Sequence, residues 1–250
     1  MCPYFISNPS TKYTITKFCY FYGMDKTKYL LEQFYKHISD NKKEKFATNI
    51  EHRTRHVTVV LENLFQPHNA SAVLRSCDCF GIQDAHIIEN YNKYEVNPDI
   101  DMGASKWLNT YKYKNSEHNT LEAIQHLKAK GYKIVATTPH TNDCMIDELP
   151  IDAPVALMFG TELGGLTDIA LEHADAFVKL PMYGFTESYN ISVSVALALF
   201  SVTERMRKSA DINWQLSETE KNEILLSWTK KVVKHAKKVE DIYLSKLEEE

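Results

Sequence analysis

The sequence predicts an α/β fold: a mainly parallel sheet with helices on both faces, and helical extensions at its N- and C-terminal ends. Three observations lead there. The runs Val57–Glu62 and Val155–Phe159, with 132–137 between them, are largely apolar rather than alternating, as strands covered on both faces are. Segments of helical period separate such runs, and Gly81 and Gly131 stand just past two of those segments, where a helix commonly ends. The stretch 180–200 passes from a short apolar run through a polar turn into an apolar run too long for a typical strand, so a strand end hands over to a helix.

Taken in order, residues 1–23 are aromatic and polar without period, and read as a disordered extension upstream of a natural start at Met24. Residues 24–45 read as one amphipathic helix, with Leu30, Phe34 and Ile38 at four-residue spacing. His52, Arg53, Arg55 and His56 make a basic approach to the first strand, Val57–Glu62. A helix over 69–80, capped by Asn69, leads to Gly81. Strands follow at 84–89 and, after a polar loop over 90–103, at 107–113. A helix over 120–130 precedes the strands 132–137 and Val155–Phe159. Thr167 caps a short helix to His173, and 177–180 is the last strand. A long helix over 189–208 is apolar first and basic at its end. Ser217 and Glu220 form a capping box for a second long helix, with Leu225, Trp228, Val232, Val239 and Ile242 on one stripe. The expected organisation is an N-terminal basic helical extension over 24–56, a core domain over 57–208 and a C-terminal helical extension over 209–250.

Charge is uneven along the 250 residues. Residues 1–56 hold ten Lys/Arg against five Asp/Glu, residues 57–200 nine against eighteen, and residues 201–250 ten of each. An acidic body with basic flanks suits a polyanion held by the ends of the chain; solvated helix faces explain each flank equally simply. Five cysteines form no C-x-x-C pair and no zinc spacing with histidine, which points to reduced thiols, a cytoplasmic protein and no metal. No apolar run is long enough for a membrane span, and no secretory signal is evident. The dinucleotide, P-loop, nucleophile-elbow and H-E-x-x-H patterns are all missing, which argues against the chemistries they serve.

Three polar clusters remain, each at the C-terminal end of an expected strand, where open α/β sheets bind ligands. The first, NLFQPHNASAVLRSCDCFG, carries Asn69 and Arg75; Arg75 turns away from the apolar face, towards a cleft or into a surface ion pair. The second, MFGTELGGLTD, places Gly160 directly after a buried strand, where a ligand can approach the backbone, and Glu162 beside it. Glu162 also fits as a simple helix N-terminal charge. The third, LPMYGFTESYNISVSV, carries Ser188 and Asn190 at a loop-to-helix junction.

In this order and spacing the clusters resemble the three signature motifs of the SPOUT superfamily of methyltransferases, closest to its TrmH (SpoU) branch, over about residues 54–207. The resemblance implies a C-terminal deep trefoil knot and S-adenosylmethionine-dependent RNA ribose 2′-O-methylation, with guanosine 18 of the tRNA D-loop as the target. An rRNA ribose, or an RNA-binding role without turnover, are the alternatives. By motif, it places Asn69, Arg75, Glu162, Ser188 and Asn190 in catalysis, and Thr137, Gly160, Leu180, Met182 and Tyr189 at the cofactor. Tyr189 stands where the pattern more often has leucine. Lys42, Lys43, Arg53, Arg55, Lys230, Lys231, Lys234, Lys237 and Lys238 would contact RNA phosphates. The resemblance also implies a homodimer, for which the apolar helix 191–200 offers a surface, although a buried core helix explains that segment as well.

Overall fold

A computed structural model describes residues 26–64, 66–95, 97–139 and 144–249; the expected extension 1–23 and the start at Met24 lie outside these residues. The elements in chain order are α1 (Lys26–Tyr35), α2 (Asp40–Ile50), β1 (Val57–Glu62), α3 (Pro67–Cys79), β2 (Asp84–Ile88), α4 (Pro98–Asp101), β3 (Asn109–Tyr113), α5 (Asn119–Ala129), β4 (Lys133–Thr137), β5 (Cys144–Met145), β6 (Val155–Phe159), α6 (Asp168–Glu172), β7 (Ala176–Lys179), α7 (Ile191–Lys208), α8 (Glu218–Lys230) and α9 (Ala236–Glu249). They form two compact units, Glu51–Leu216 and the described parts of Met1–Ile50 with Ser217–Glu250.

In the first unit seven strands form one sheet in the order β3-β2-β1-β6-β4-β7-β5, each pair parallel. The central strands β1 and β6 are buried at every position, which is why their sequences do not alternate. Their two faces nonetheless divide with period two. Val57, Val59, Leu61 and Leu157 pack with Val73 and Leu74 of α3 and with Val195 and Leu199 of α7. Val60, Ala156 and Met158 pack with Ala123, Ile124 and Leu127 of α5 and with Ala170 of α6. β6 is inserted between β1 and β4, both earlier in the chain. A knotted chain requires such an insertion, which does not by itself close a knot.

The basic end of α7 is structural. Arg205 donates to the carbonyls of Ile146 (3.1 Å) and Leu149 (2.6 Å). Arg207 donates to those of His52 (2.9 Å) and Phe80 (3.1 Å) and lies 4.5 Å from the Trp214 ring. Gly81 has φ +76, and a Cβ there would fall 2.2 Å from the His52 carbonyl oxygen, so glycine is needed both for the turn and for the close approach.

In the second unit α1, α2 and α8 bury Leu30, Leu31, Phe34, Phe46, Ile50, Ile224, Leu225 and Trp228, with the Phe46 and Trp228 rings 5.5 Å apart. The capping box of Ser217 and Glu220 forms as expected. Three sequence expectations are corrected. The single helix over 24–45 is two helices, because the chain turns at 36–39 and the Ser39 carbonyl accepts from Lys42 and Lys43. The second C-terminal helix also breaks, after Lys230: His235 adopts φ +56, and Ile242 is 54% exposed, off the expected stripe. Asn69 is not a cap. Pro67, whose fixed φ suits the first helical position, starts α3 two residues earlier, after Gln66.

Candidate active site

Loops after three neighbouring strands, β6, β4 and β7, enclose a cavity of about 320 Å³ at the C-terminal edge of the sheet. The loop after β4 contributes Thr137, Thr138 and Pro139; the loop after β6 contributes 160–166; the loop after β7 contributes Leu180, Met182 and 187–189. The first turns of α7 add Ile191 and Ser194. The structure thus brings Thr137, Gly160, Leu180, Met182 and Tyr189 around one space, together with Glu162 and Ser188.

Each wall has a local cause. The Thr137 hydroxyl donates to the Met158 carbonyl (2.7 Å) and so ties β4 to β6. The loop after β6 folds back on itself: Thr161 N–H donates to Gly165 O (2.9 Å) and Gly165 N–H to Thr161 O (3.0 Å). A Cβ on Gly160 would sit 2.0 Å from the Gly165 oxygen and 2.3 Å from the Leu166 nitrogen. Glycine at 160 is therefore demanded by the loop's own backbone, and it also lines the cavity. The Tyr189 hydroxyl donates to the Pro181 carbonyl (2.9 Å) and closes the loop 181–189, a bond leucine could not make.

Beside the cavity lies a chain of hydrogen bonds. Asn69, 4% exposed in the first turn of α3, donates from Nδ2 to a Glu162 carboxylate oxygen and to Gln66 Oε1 (3.2 Å). Its Oδ1 accepts from Asn190 Nδ2 at 3.2 Å. Asn190 caps α7, its Oδ1 accepting from the Ser192 N–H (2.9 Å) and hydroxyl (2.6 Å). Because the Asn190 oxygen is held by the helix and its amide faces Asn69, the Asn69 amide has one orientation, NH₂ towards the carboxylate. Residues of the three polar clusters meet here.

Arg75 does not join them. Six residues beyond Asn69 on α3, it lies about 9 Å along the axis and about 120° around it. It is exposed, and among the described residues none pairs with its guanidinium. Nor do the nine residues expected at RNA phosphates behave alike. Arg53 is 6% exposed, paired with Asp78 and donating to the Ile82 carbonyl (3.1 Å), and Arg55 donates to Asp84 (3.1 Å). Both bind the start of β1 to the α3–β2 segment, which corrects their assignment. Lys43 pairs with Asp40 (2.8 Å) and half-buried Lys230 with Glu240 (2.7 Å). Lys42, Lys231, Lys234 and Lys238 are exposed, as is Lys237, which pairs with Asp241 (2.9 Å). Sequence reasoning missed Gln66 in the polar cluster and Glu187 and Ser194 on the cavity wall. Only Glu187, directly before Ser188 in the polar turn, carried a signal.

An all-parallel sheet with a cavity formed by the loops of β4, β6 and β7, walled by the start of α7, is an open α/β fold with its ligand site at the carboxyl ends of the strands. The chain belongs to the SpoU rRNA Methylase family, whose model matches residues 56–200. It is 44% identical over 207 residues to a tRNA (guanosine(18)-2′-O)-methyltransferase of Borreliella burgdorferi, covering 83% of this chain and 93% of that one. A protein of the same description from Thermus thermophilus is 33% identical over 153 residues, 61% of this chain and 77% of its own. Among solved structures, the A. aeolicus TrmH/SpoU tRNA modifying enzyme superposes with a TM-score of 0.70 at 27% identity, covering 78% of this chain and 98% of that one.

Proposed function

We propose that this chain transfers a methyl group from S-adenosylmethionine to the ribose 2′-oxygen of guanosine 18 in tRNA, and does so as a cytoplasmic homodimer. The observation that carries the reading is the meeting of Asn69, Glu162 and Asn190 beside a cavity of three strand-end loops. The family membership and the printed activities of the Borreliella and Thermus relatives support the choice of RNA and nucleotide.

The residues of the cavity suit S-adenosylmethionine. Val178, Leu180, Met182 and Ile191 offer an apolar bed for an adenosyl group, and Glu162 and Glu187 bring negative charge to the lining. The N-terminal end of α7, eighteen residues long, favours an anionic group beside it. The chemistry this cofactor supplies is an electrophilic methyl group. The protein's tasks are to place the 2′-oxygen in line and to stabilise the charge that develops on it. Ser188 and Asn190 orient the ribose, and Asn69 holds the Glu162 carboxylate. Arg75 provides electrostatic stabilisation of the charge that develops on the 2′-oxygen.

The distance of Arg75 from the Asn69 cluster fits a site completed by a second copy. Val193, Leu197 and Phe200 form an exposed apolar stripe on α7, which packs against the helix carrying Arg75. The exposed lysines Lys42, Lys231, Lys234, Lys237 and Lys238 meet phosphates, giving affinity rather than sequence choice. Among the described residues no helix is long and apolar enough to cross a membrane, and no group of three metal-ligating side chains occurs. Incubation with total RNA and labelled S-adenosylmethionine, followed by mapping, tests the proposal. Label at tRNA guanosine 18 supports it; label only in rRNA, or none, overturns it.

A further inference from the structure

Glu62 ends β1 with 1% of its surface exposed, yet it neither joins the Asn69 cluster nor lines the cavity. A buried carboxylate persists only where donors replace its lost water. Here Thr120 Oγ1 (2.5 Å) and Thr167 Oγ1 (2.8 Å) donate to one oxygen, and the Thr167 backbone N–H (2.9 Å) donates to the other. Thr167 is where the cavity loop 160–166 ends. Its hydroxyl serves twice, donating to Glu62 and accepting the Ala170 N–H at 3.3 Å as the cap of α6. The near end of the loop is held by the paired backbone hydrogen bonds of Thr161 and Gly165, and its middle by Glu162 on Asn69. The far end has Glu62.

We propose that Glu62 is a positioning residue for methyl transfer: its buried carboxylate fixes Thr167, and through Thr167 the loop that walls the cavity and carries Glu162. This rests on the reading of that cavity as the S-adenosylmethionine site. Thr120 supplies an internal control, because it donates to the same carboxylate oxygen from the start of α5, which does not line the cavity.

The experiment compares Glu62→Gln, Thr167→Val, Thr167→Ser and Thr120→Val with the unaltered protein. It measures calorimetric affinity for S-adenosylmethionine, and amide hydrogen exchange of residues 161–166 without cofactor. Glu62→Gln and Thr167→Val are expected to weaken binding at least fivefold and to speed exchange in the loop. Thr167→Ser, which keeps the hydroxyl, restores both to within twofold. Thr120→Val lowers the unfolding temperature but leaves affinity and loop exchange within twofold. Equal losses in Thr120→Val and Thr167→Val would overturn the inference, because the carboxylate would then act through general stability. If Glu62→Gln does not fold, the valine and serine variants of Thr167 decide. If the unaltered protein binds no S-adenosylmethionine, the reading of the cavity fails while loop exchange still tests the positioning.

Discussion

Asn69 shows how much one amide can organise. It joins the start of α3 to the loops after β6 and β7 by donating to Glu162 and accepting from Asn190. Asn69→Asp replaces the donor to Glu162 with a second carboxylate and leaves nothing among the described residues to hold the Glu162 side chain. Methyl transfer should fall at least tenfold, which single-turnover kinetics would read. Arg75→Ala should behave differently. Removing an exposed residue that none of the described residues pairs with costs at most about 0.5 kcal/mol of stability, and cofactor affinity should hold. Transfer should nevertheless drop by about a hundredfold or more, as on losing a charge-stabilising donor. Calorimetry and single-turnover kinetics separate the two effects. Gly160→Ala should unfold at lower denaturant and bind the cofactor poorly, since a methyl there meets backbone at 2.0 Å; Gly184→Ala, with its nearest neighbour at 4.0 Å, should change neither. Asn69, Glu162 and Asn190 were each singled out in the sequence, but not their hydrogen bonds to one another. Asn69 read as a cap because it is a polar residue near a helix start, whereas Pro67 opens the helix.

Among the elements, those with strong local signals were the legible ones. β1 and β6 showed as largely apolar runs without alternation because both their faces are covered, and Thr167 and Ser217 showed as caps because their hydroxyls bond the first turn. Ser217→Ala should cost about 1 kcal/mol in denaturant unfolding, the usual worth of such a cap. The illegible elements depend on tertiary partners. β5, two residues long, exists through its pairing with β7 and has no period of its own. The breaks at 36–39 and after Lys230 interrupt patterns that remain apolar across the gap, so periodicity ran straight through them. Arg53 and Arg55 carried basic charge in the sequence, but their carboxylate partners Asp78 and Asp84 lie 25 or more residues away. Charge counted along the chain could not distinguish a phosphate contact from a buried ion pair.

Over the whole molecule, stability and binding depend on different charges. His86 is 1% exposed, stacked 4.8 Å from the Tyr111 ring, with Nδ1 sharing a 2.9 Å hydrogen bond with the Tyr113 hydroxyl. Burial, and then the nearby His126 and Lys130, push its pKa down to about 3 from an ordinary 6.5. Between those values the unfolded chain binds the extra proton, so this contribution to stability is complete above pH 6.5 and is lost as pH falls, by about 2 kcal/mol at pH 5. Urea titrations at pH 7 and pH 5 should show the loss, and His86→Phe should flatten it. For RNA, replacing Lys231, Lys234, Lys237 and Lys238 by alanine should weaken tRNA binding and reduce the slope of log affinity against log salt by about 3. Transfer to one ribose oxygen is tested with two tRNA transcripts that differ only at position 18, one with guanosine and one with 2′-deoxyguanosine. With labelled S-adenosylmethionine, nuclease digestion and mass spectrometry should find 2′-O-methylguanosine from the first and no label in the second. Equal labelling of both transcripts, or a methyl group on a base, would contradict it.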